Sequence, residues 1–305
     1  MNLTNHFIQE PLVLTRYLYR KLDVKYSLLI ALLEKDENAS LFWIYELYYS
    51  GFREECFEYL LLIYSEIYIH TTPHINKYIH ECYTVWFENE DSVENDCLIG
   101  NIAYTIAWSE YNLTPFVKMF YNRDITTSNI LDLRRAIHLV HLEPRHILKY
   151  QTHEPPNENE NENIDKYRAY NTLQEITLLP IHNEIHHLFD FDGAPNVHNT
   201  QTLWLYYASK SPVWKQRIQE YNGIVCNNDR SVLFDDEDDE EQFYHLWHYE
   251  PDEIPTTILN KLIGSDETQQ INVDDFCEKY DYTITQKKKK YVINKDKKLI
   301  SSQKI

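Results

Sequence analysis

The amino-acid sequence predicts a mainly α-helical protein: an antiparallel helical array, of the irregular α-solenoid or bundle type, with a smaller mixed C-terminal part. Three observations predict this class. Apolar residues recur at helical spacing from Pro11 to about Tyr150, capping and helix-breaking residues interrupt the pattern at short intervals, and no fixed repeat period is present. Short connections between successive helices favour antiparallel neighbours.

The first three helices are predicted from their capping residues. Pro11 can open a helix that runs to Leu22, and Asp23 can cap a second helix over VKYSLLIALLEK. Asn38 or Ser40 can cap the third helix, because short polar side chains accept hydrogen bonds from the free backbone N–H groups at a helix start.

The later helices of the first half are predicted from apolar spacing and from proline positions. Gly51 stands where the third helix would end, and after it Phe57, Leu60, Leu61 and Tyr64 follow the i, i+3, i+4, i+7 pattern. Further helices are predicted from the stretches PHINKYIHECYTVWF, DCLIGNIAYTIAWSEY, TPFVKMFY, SNILDLRRAIHLVHL and PRHILKY. The whole region is therefore predicted to be helical.

The third helix, within SLFWIYELYYSGF at residues 40–52, is rich in large aromatic residues and has one charged residue, Glu46. A helix that is apolar on nearly all sides is expected to lie between other helices. The alternative is an exposed groove that binds a partner, with these candidate contacts: Phe42, Trp43, Tyr45, Tyr48 and Tyr49. Large exposed apolar patches are rare on soluble monomers, which favours the core. At least one of Tyr45 and Tyr49 is expected to be partly exposed, because each hydroxyl needs water or a buried acceptor.

Composition divides the chain into four parts. Residues 1–152 form the predicted helical array domain, and residues 153–165, HEPPNENENENID, form a polar linker of low complexity. Residues 166–284 are predicted to form a mixed, mostly helical domain with an acidic loop at 235–241. Residues 285–305 form a basic tail.

The charge distribution sets the tail apart from the rest of the chain. The net charge is −19, and residues 287–305 hold eight Lys against one Asp, a local charge of +7, so the remainder carries −26. The acidic body repels nucleic acid, whereas the tail is compatible with phosphate-backbone contact or with nuclear import. A solubilising tail is the simplest interpretation of the lysine run.

Two oppositely charged runs are candidate charge-mediated contacts. The acidic residues are Asp235, Asp236, Glu237, Asp238 and Asp239, in a run that extends to Glu241, and the basic residues are Lys287, Lys288, Lys289 and Lys290. Because neighbouring carboxylates repel one another, a solvated loop is favoured over a metal site, and binding of a basic partner segment is the alternative. The two runs are expected to attract each other, within the chain or between chains.

Composition and motifs argue against several kinds of chemistry. With 5 glycines, the chain lacks the glycine-rich phosphate loops of Rossmann and P-loop proteins. The 5 cysteines form no C-x-x-C pair, which argues against a disulfide framework and a cysteine zinc site. No G-x-S-x-G motif occurs, and neither a catalytic residue nor a cofactor is predicted. The sequence has no signal-peptide pattern and no run of 18 apolar residues, so an intracellular protein without membrane contact is expected.

The stretch HNEIHH contains a histidine pair with zinc-site spacing. His182 and His186 are four residues apart, which would place both imidazoles on one helix face, and His245 or His248 could supply a third ligand. Glu184 is not adjacent to the first histidine, as the zinc-protease motif requires. A chain with 14 histidines can contain such a pair by chance, so no metal site is predicted. A metal-dependent hydrolase that uses His182 and His186 is kept as an alternative function.

The stretches ALLEKDENASLFWIYELYYSGF and WHYEPDEIPTTIL resemble a family of uncharacterised proteins of the large DNA viruses of eukaryotes, the nucleocytoplasmic large DNA viruses. The resemblance covers about the first 120 residues and the short C-terminal motif. It implies an origin in a virus that replicates in or through the cytoplasm. It brings no catalytic residues to this chain.

These features predict a non-enzymatic, virus-encoded helical scaffold or adaptor that binds protein partners in the infected cell, with viral gene expression as one setting. The alternatives are the hydrolase described above and a minor structural component of the virion or virus factory. The expected location is the host cytoplasm or the virus factory, and the nucleus is the alternative through Lys287–Lys290.

Overall fold

The mainly helical class predicted from the sequence is confirmed by the structure, a computed structural model. It describes residues 3, 11–90, 92–121, 138–151, 179, 181–189, 197–247, 254–263, 269–280 and 301–304. The helices are α1 (Lys21–Glu34), α2 (Glu37–Tyr49), α3 (Arg53–Ile63), α4 (Asn76–Glu88), α5 (Asp96–Trp108), α6 (Thr114–Tyr121), α7 (Pro144–Ile147), α8 (Val197–Thr202), α9 (Trp204–Ala208), α10 (Pro212–Glu220), α11 (Glu237–Leu246), α12 (Thr256–Ile263) and α13 (Val273–Tyr280). A π-helical turn extends α3 over Tyr64–Tyr68, and 3₁₀ turns lie at Pro73–Ile75, Val93–Asn95, Leu148–Tyr150 and His186–Phe189.

Two short antiparallel ribbons accompany the helices. β1 (His138–His141) pairs with β4 (Ser301–Lys304), and β2 (Ile224–Cys226) pairs with β3 (Ser231–Leu233). β4 belongs to the predicted basic tail, so the end of the tail pairs with β1. The lysine run Lys287–Lys290 lies outside the described residues.

The helix predicted over SNILDLRRAIHLVHL is wrong at its described end, because His138–His141 form a strand. Side chains of α5 supply partners for this extended backbone. Thr105 Oγ1 accepts a hydrogen bond from Val140 N at 3.2 Å, and Asn101 Oδ1 accepts one from Leu142 N at 2.6 Å. Buried backbone N–H groups need such partners, which a helix would have supplied internally.

The helix predicted to begin at Pro11 is also wrong, because the chain turns before α1. Thr15 N donates a hydrogen bond to Tyr19 O at 2.8 Å, and Leu18 between them has a φ of 64°. This left-handed conformation does not continue a right-handed helix. Asp23, expected to cap a second helix, lies inside α1, where its carboxylate binds side chains.

α2 is capped by Asp36 rather than by Asn38 or Ser40. The Asp36 carboxylate accepts hydrogen bonds from Asn38 N at 3.1 Å and from Ala39 N at 3.0 Å. Lys35, with a φ of 57°, ends α1 directly before this cap. The two helices are therefore joined by a tight connection, as the short-loop pattern predicts.

α5 is the central helix of the first half of the chain, and it packs against α1, α2, α3 and α4. Its approach to α2 is close at Gly100. A Cβ atom at this position would collide with the Tyr45 hydroxyl and would lie 2.9 Å from Leu142 Cδ1. The absence of a side chain at Gly100 therefore allows this close contact.

The described residues on both sides of the predicted linker share one hydrophobic core. Trp214 Nε1 donates a hydrogen bond to Thr15 O at 3.0 Å, and the Tyr111 hydroxyl donates one to Tyr280 O at 2.7 Å. The linker, residues 153–165, lies outside the described residues, so it stays a prediction. The described residues of the two halves nevertheless contribute to the same core.

Candidate functional site

The predicted partner surface on α2 lies mostly in the core. Trp43, Tyr45 and Tyr48 are at most 1% exposed, so the groove interpretation is wrong for these three residues. Phe42 and Tyr49 are half-buried and pack against the same core. The partial exposure of Tyr49 agrees with the expectation for the pair Tyr45 and Tyr49. An apolar helix is buried here because α1, α3 and α5 all pack against it.

The tyrosine hydroxyls of α2 bind Asp96, the first residue of α5. Tyr48 and Tyr49 donate hydrogen bonds to the two carboxylate oxygens, at 2.7 and 3.2 Å, and Tyr45 donates to the backbone oxygen at 3.0 Å. Trp86 Nε1 of α4 donates to the Tyr48 hydroxyl at 2.9 Å. Burial raises the pKa of Tyr48, so this network holds neutral hydroxyl donors. Its role is to join α2, α4 and α5.

The buried charge of α2, Glu46, forms an ion pair with Arg16. Arg16 Nε lies 2.9 Å from Glu46 Oε2, and both side chains are at most 3% exposed. Arg16 also donates to Tyr150 O at 2.8 Å, and Tyr17 N donates to Glu46 Oε1 at 3.3 Å. Burial raises the pKa of Glu46, and the guanidinium of Arg16 opposes that rise. The pair fixes the turn before α1 against α2.

A second buried charge group contains Asp23, Arg20 and His186. Asp23 Oδ2 accepts from Arg20 Nε at 2.7 Å, and Asp23 Oδ1 lies 2.7 Å from His186 Nε2. In a hydrolase triad, an aspartate orients a histidine, which in turn activates a serine hydroxyl. The hydroxyl of Ser27 lies near Asp23, so its hydrogen bonds decide whether it could play that part. Ser27 Oγ donates to Asp23 O at 2.8 Å and accepts from His182 N at 2.7 Å. Both hydrogen bonds hold Ser27 to the backbone, which is a structural use of the hydroxyl.

His182 and His186 do not share the helix face on which their spacing would place them, and this removes the geometry that the alternative hydrolase requires. A 3₁₀ turn begins only at His186, and His182 Nδ1 lies 2.8 Å from Glu184 Oε1. Burial raises the pKa of Glu184, but the hydrogen bond and charge of His182 outweigh it and lower that pKa below 4.5. Among the described residues, which include His245 and exclude His248, no three His, Cys, Asp or Glu side chains could hold a metal ion together.

A third charge cluster joins α1 to α3. Lys21 Nζ lies 2.6 Å from Glu55 Oε2, and Lys25, itself 1% exposed, forms an ion pair with the other carboxylate oxygen. Burial raises the pKa of Glu55, but the two ammonium groups outweigh burial and lower the pKa well below 4.5. The cluster keeps Glu55 charged and holds the two helices together.

The run predicted as a solvated acidic loop is instead the start of α11 from Glu237 onward, although most of its side chains are exposed. Asp236 caps the helix, since its carboxylate accepts a hydrogen bond from Asp239 N at 2.8 Å. Negative side chains are favoured in a first helical turn by the helix dipole. The attraction between this run and Lys287–Lys290 stays a prediction, because the lysines lie outside the described residues.

The candidate binding site that sequence reasoning missed lies at the end of α4 and in the following turn. Val85, Phe87 and Val93 are 49%, 59% and 63% exposed, and we name these three separate side chains, which are close in sequence, the corner surface. α4 buries one stripe of side chains, Ile79, Cys82 and Trp86. The helical spacing of these residues in the sequence was the signal that could have shown which side chains of α4 stay exposed. Phe87 and Val85 lie on opposite flanks of that stripe.

The corner surface is held by a rigid frame. The Phe87 ring lies 6.0 Å from the Tyr83 ring, and the Tyr83 ring lies 5.5 Å from the ring of Phe57 on α3. In the turn after α4, Asn95 Nδ2 donates a hydrogen bond to Asn89 O at 2.9 Å. The exposed side chains therefore stand on packed elements.

A second exposed apolar pair lies on the β2–β3 ribbon. Ile224 and Leu233 are directly opposite each other and are 56% and 57% exposed. Directly opposed residues of an antiparallel pair lie about 5 Å apart, so these two form one small apolar face. This pair contains no aromatic residue.

Comparisons of this chain with protein-family models, curated proteins and solved structures found no match. Among the described residues, no helix combines the length and the apolar character that crossing a bilayer requires.

Proposed function

We propose that the chain is a non-enzymatic, virus-encoded scaffold or adaptor that binds protein partners in the infected cell, and that the corner surface is one of its binding sites. The observation that carries this proposal is the exposure of Phe87, Val85 and Val93 on a packed helical frame. Viral origin is supported by the resemblance of ALLEKDENASLFWIYELYYSGF and WHYEPDEIPTTIL.

Exposed aromatic residues on rigid elements are favourable anchors for a partner. Phenylalanine is enriched at protein interfaces, and burying its exposed surface gains roughly 25 cal/mol per Å² of apolar area. Phe87 rests against Tyr83, so little side-chain freedom is lost when a partner covers it. The corner surface can therefore contribute binding energy without rearrangement of α4.

The non-enzymatic part of the proposal is supported by the internal use of the strongest charge groups. Glu46 binds Arg16, Asp23 binds Arg20 and His186, and Glu55 binds Lys21 and Lys25, all within the fold. Each of these charge groups is explained by its role in holding parts of the fold together. Zinc analysis of the purified chain tests the alternative hydrolase directly, and stoichiometric zinc lost in a His186→Ala variant would favour it.

Proximity labelling in infected cells tests the proposal. The wild-type chain, a Phe87→Ser/Val93→Ser variant and a Leu148→Ser control, each fused to the labelling enzyme, would be compared by quantitative mass spectrometry. Leu148 is 57% exposed but lies on a different turn, so it matches the loss of exposed apolar surface. We expect the corner variant alone to lose a defined set of labelled proteins. Identical protein sets for all three chains would refute the corner surface as a binding site.

Particle analysis addresses the remaining alternative. Mass spectrometry of purified virions would detect the chain at constant stoichiometry if it were a virion component. Its absence from particles, together with corner-dependent labelling in cells, would favour the adaptor.

A further inference from the structure

β1 is a strand whose helix-facing edge is bound by side chains of two helices. Val140 N donates a hydrogen bond to Thr105 Oγ1 of α5 at 3.2 Å, and the Tyr78 hydroxyl of α4 donates one to Val140 O at 2.8 Å. Two residues further on, Leu142 N donates to Asn101 Oδ1 of α5 at 2.6 Å. These contacts hold β1 in an extended conformation independently of β4.

The opposite edge of β1 is the one that β4 covers. In an antiparallel pair, the N–H and C=O groups of one residue point to one side, and those of the next residue point to the other. Both groups of Val140 face the helices, so those of Leu139 and His141 face β4. The register places Gln303 opposite Leu139 and Ser301 opposite His141. Without β4, these two N–H and two C=O groups would lose their ladder, and such an open strand edge is a template for another chain.

The sequence of β4 is a poor match for the residues opposite it. The register places Ser302 opposite Val140 and Gln303 opposite Leu139, and both β1 side chains are at most 9% exposed. Opposed residues in an antiparallel pair stabilise it well when they are β-branched or aromatic. Serine and glutamine are neither. A segment with β-branched or aromatic residues at these two positions would therefore pair with β1 more strongly than β4 does.

The chain connection also makes β4 easier to release than β3. β2 and β3 are joined through residues 227–230, whereas residues 281–300 separate β4 from α13 in the sequence. The entropic cost of bringing two parts of a chain together rises with the number of residues between them. Because β1 is held by α4 and α5, β4 is the member of the pair that can leave while the other stays in place.

We infer that β1 is a docking strand for an extended segment of a partner protein, and that β4 covers this strand when the partner is absent. The partner segment would pair antiparallel with β1 and would place β-branched or aromatic residues opposite Leu139 and Val140. In this mode of recognition, main-chain hydrogen bonds supply affinity and the side chains supply specificity. The inference adds a second binding surface to the proposed scaffold and does not depend on the corner surface.

Two proline substitutions in β4 test the role of its pairing. The N–H of Gln303 points towards β1, so Gln303→Pro removes a ladder hydrogen bond. The N–H of Ser302 points away from β1, so Ser302→Pro is the matched control. Both full-length variants and the wild type would be titrated with two fluorescent peptides, and binding would be measured by anisotropy. The peptides are KKLISSQKI, which is residues 297–305, and KKLISVVKI, in which valine replaces Ser302 and Gln303.

We expect KKLISVVKI to bind the Gln303→Pro variant about tenfold more tightly, or better, than it binds the wild type or the Ser302→Pro variant. The reason is that an attached segment competes at a high effective concentration, and only Gln303→Pro weakens that competitor. On the Gln303→Pro variant, KKLISVVKI should bind about three- to tenfold more tightly than KKLISSQKI, because it forms two better cross-strand pairs.

Amide hydrogen exchange, measured by NMR, follows β1 itself. In the Gln303→Pro variant, the N–H groups of Leu139 and His141 should exchange faster than in the wild type and should regain protection when KKLISVVKI is added. The N–H of Val140 should stay protected throughout, because it is bound to Thr105. Loss of protection at Val140 as well would show that β1 unfolds with β4, which would overturn the inference.

The binding measurements have contrary outcomes of their own. Equal peptide affinities for the three chains, or no binding to any of them, would overturn the inference. Tighter binding of KKLISSQKI than of KKLISVVKI would overturn the chemistry assigned to the partner. A wild-type dimer that Gln303→Pro abolishes would identify β4 of a second copy as the occupant and would also overturn it. None of these results bears on the corner surface, which is tested separately by the labelling of the Phe87→Ser/Val93→Ser variant.

Discussion

α2 and α4 have the same length, 13 residues, and each carries several aromatic side chains, yet the structure uses them differently. α2 is buried on nearly all sides and contains one buried charge, Glu46. α4 buries a single stripe and leaves Phe87 at the surface. The cause is the number of neighbours: α2 packs against α1, α3 and α5, whereas α4 packs mainly against α5.

Aromatic composition alone does not separate buried from exposed helix faces in this chain. What separates them is the width of the apolar arc on each helix. α2 is apolar around its circumference, which requires several packed neighbours. α4 interrupts its aromatic residues with Glu81, Thr84 and Glu88, which keep one face in water.

The largest expected effect is a difference in the free energy of unfolding between substitutions of Trp43 in α2 and of Phe87 in α4. Trp43→Ala should lower the free energy of unfolding by about 3 to 5 kcal/mol, because it leaves a cavity in the core. Phe87→Ala should lower it by less than about 1 kcal/mol, because the ring is mostly exposed. Urea denaturation of both variants measures the difference. Equal losses would show that α2 and α4 are buried alike.

The next contrast concerns one carboxylate on each helix. Glu46→Gln should cost about 3 kcal/mol, since it leaves Arg16 buried without its counter-charge, whereas Glu88→Gln should change stability by at most about 0.5 kcal/mol. The double replacement Arg16→Met/Glu46→Leu should recover much of the loss, because an apolar pair needs no charge compensation. Chemical denaturation of the four proteins provides the measurement. A harmless Glu46→Gln would mean that the pair is hydrated.

Tyrosine hydroxyls give a smaller contrast. Tyr48→Phe should cost about 1 to 3 kcal/mol, because Asp96 and Trp86 each lose a buried hydrogen-bond partner. Tyr83→Phe should cost less than about 0.5 kcal/mol, since the Tyr83 side chain is partly exposed. Thermal melting compares the two variants. A larger loss from Tyr83→Phe would place the more important hydroxyl on α4.

The smallest expected effect is a pH dependence of the stability that Glu55 on α3 contributes. The folded pKa of Glu55 lies below its unfolded value near 4.5, so its stabilisation is complete above that pH and is lost as pH falls towards the folded pKa. The stability difference between wild type and Glu55→Gln should therefore be constant near neutral pH and shrink in acid. Glu54→Gln, at the exposed neighbouring position, is the matched control. A Glu55 difference that stays unchanged down to pH values well below 4.5 would contradict the ion-pair assignment.

The sequence predicts elements whose cause is local. The spacing of Ile79, Cys82 and Trp86 is enough to indicate α4, and the apolar arc around Trp43 is enough to indicate a buried α2. The cap of α2 is Asp36 and not the predicted Asn38 or Ser40, because several polar residues there can cap a helix.

Features caused by distant residues were not predictable. The turn before α1 depends on Arg16, whose partner Glu46 is 30 residues away, and β1 depends on side chains of α5 and on β4. Zinc spacing at His182 was misleading, because Asp23 and Glu184 already bind the two imidazoles.

The hydrogen bond from Trp214 to Thr15 O has a consequence for synthesis on the ribosome. The two residues are 199 positions apart, and Arg217 donates to Arg16 O at 3.5 Å in the same place. At elongation rates of about 5 to 20 residues per second, Thr15 would wait roughly 10 to 40 s before Trp214 is made. During that interval the apolar residues of the N-terminal turn lack their final cover, so the nascent chain is open to chaperones and to premature association until α10 emerges.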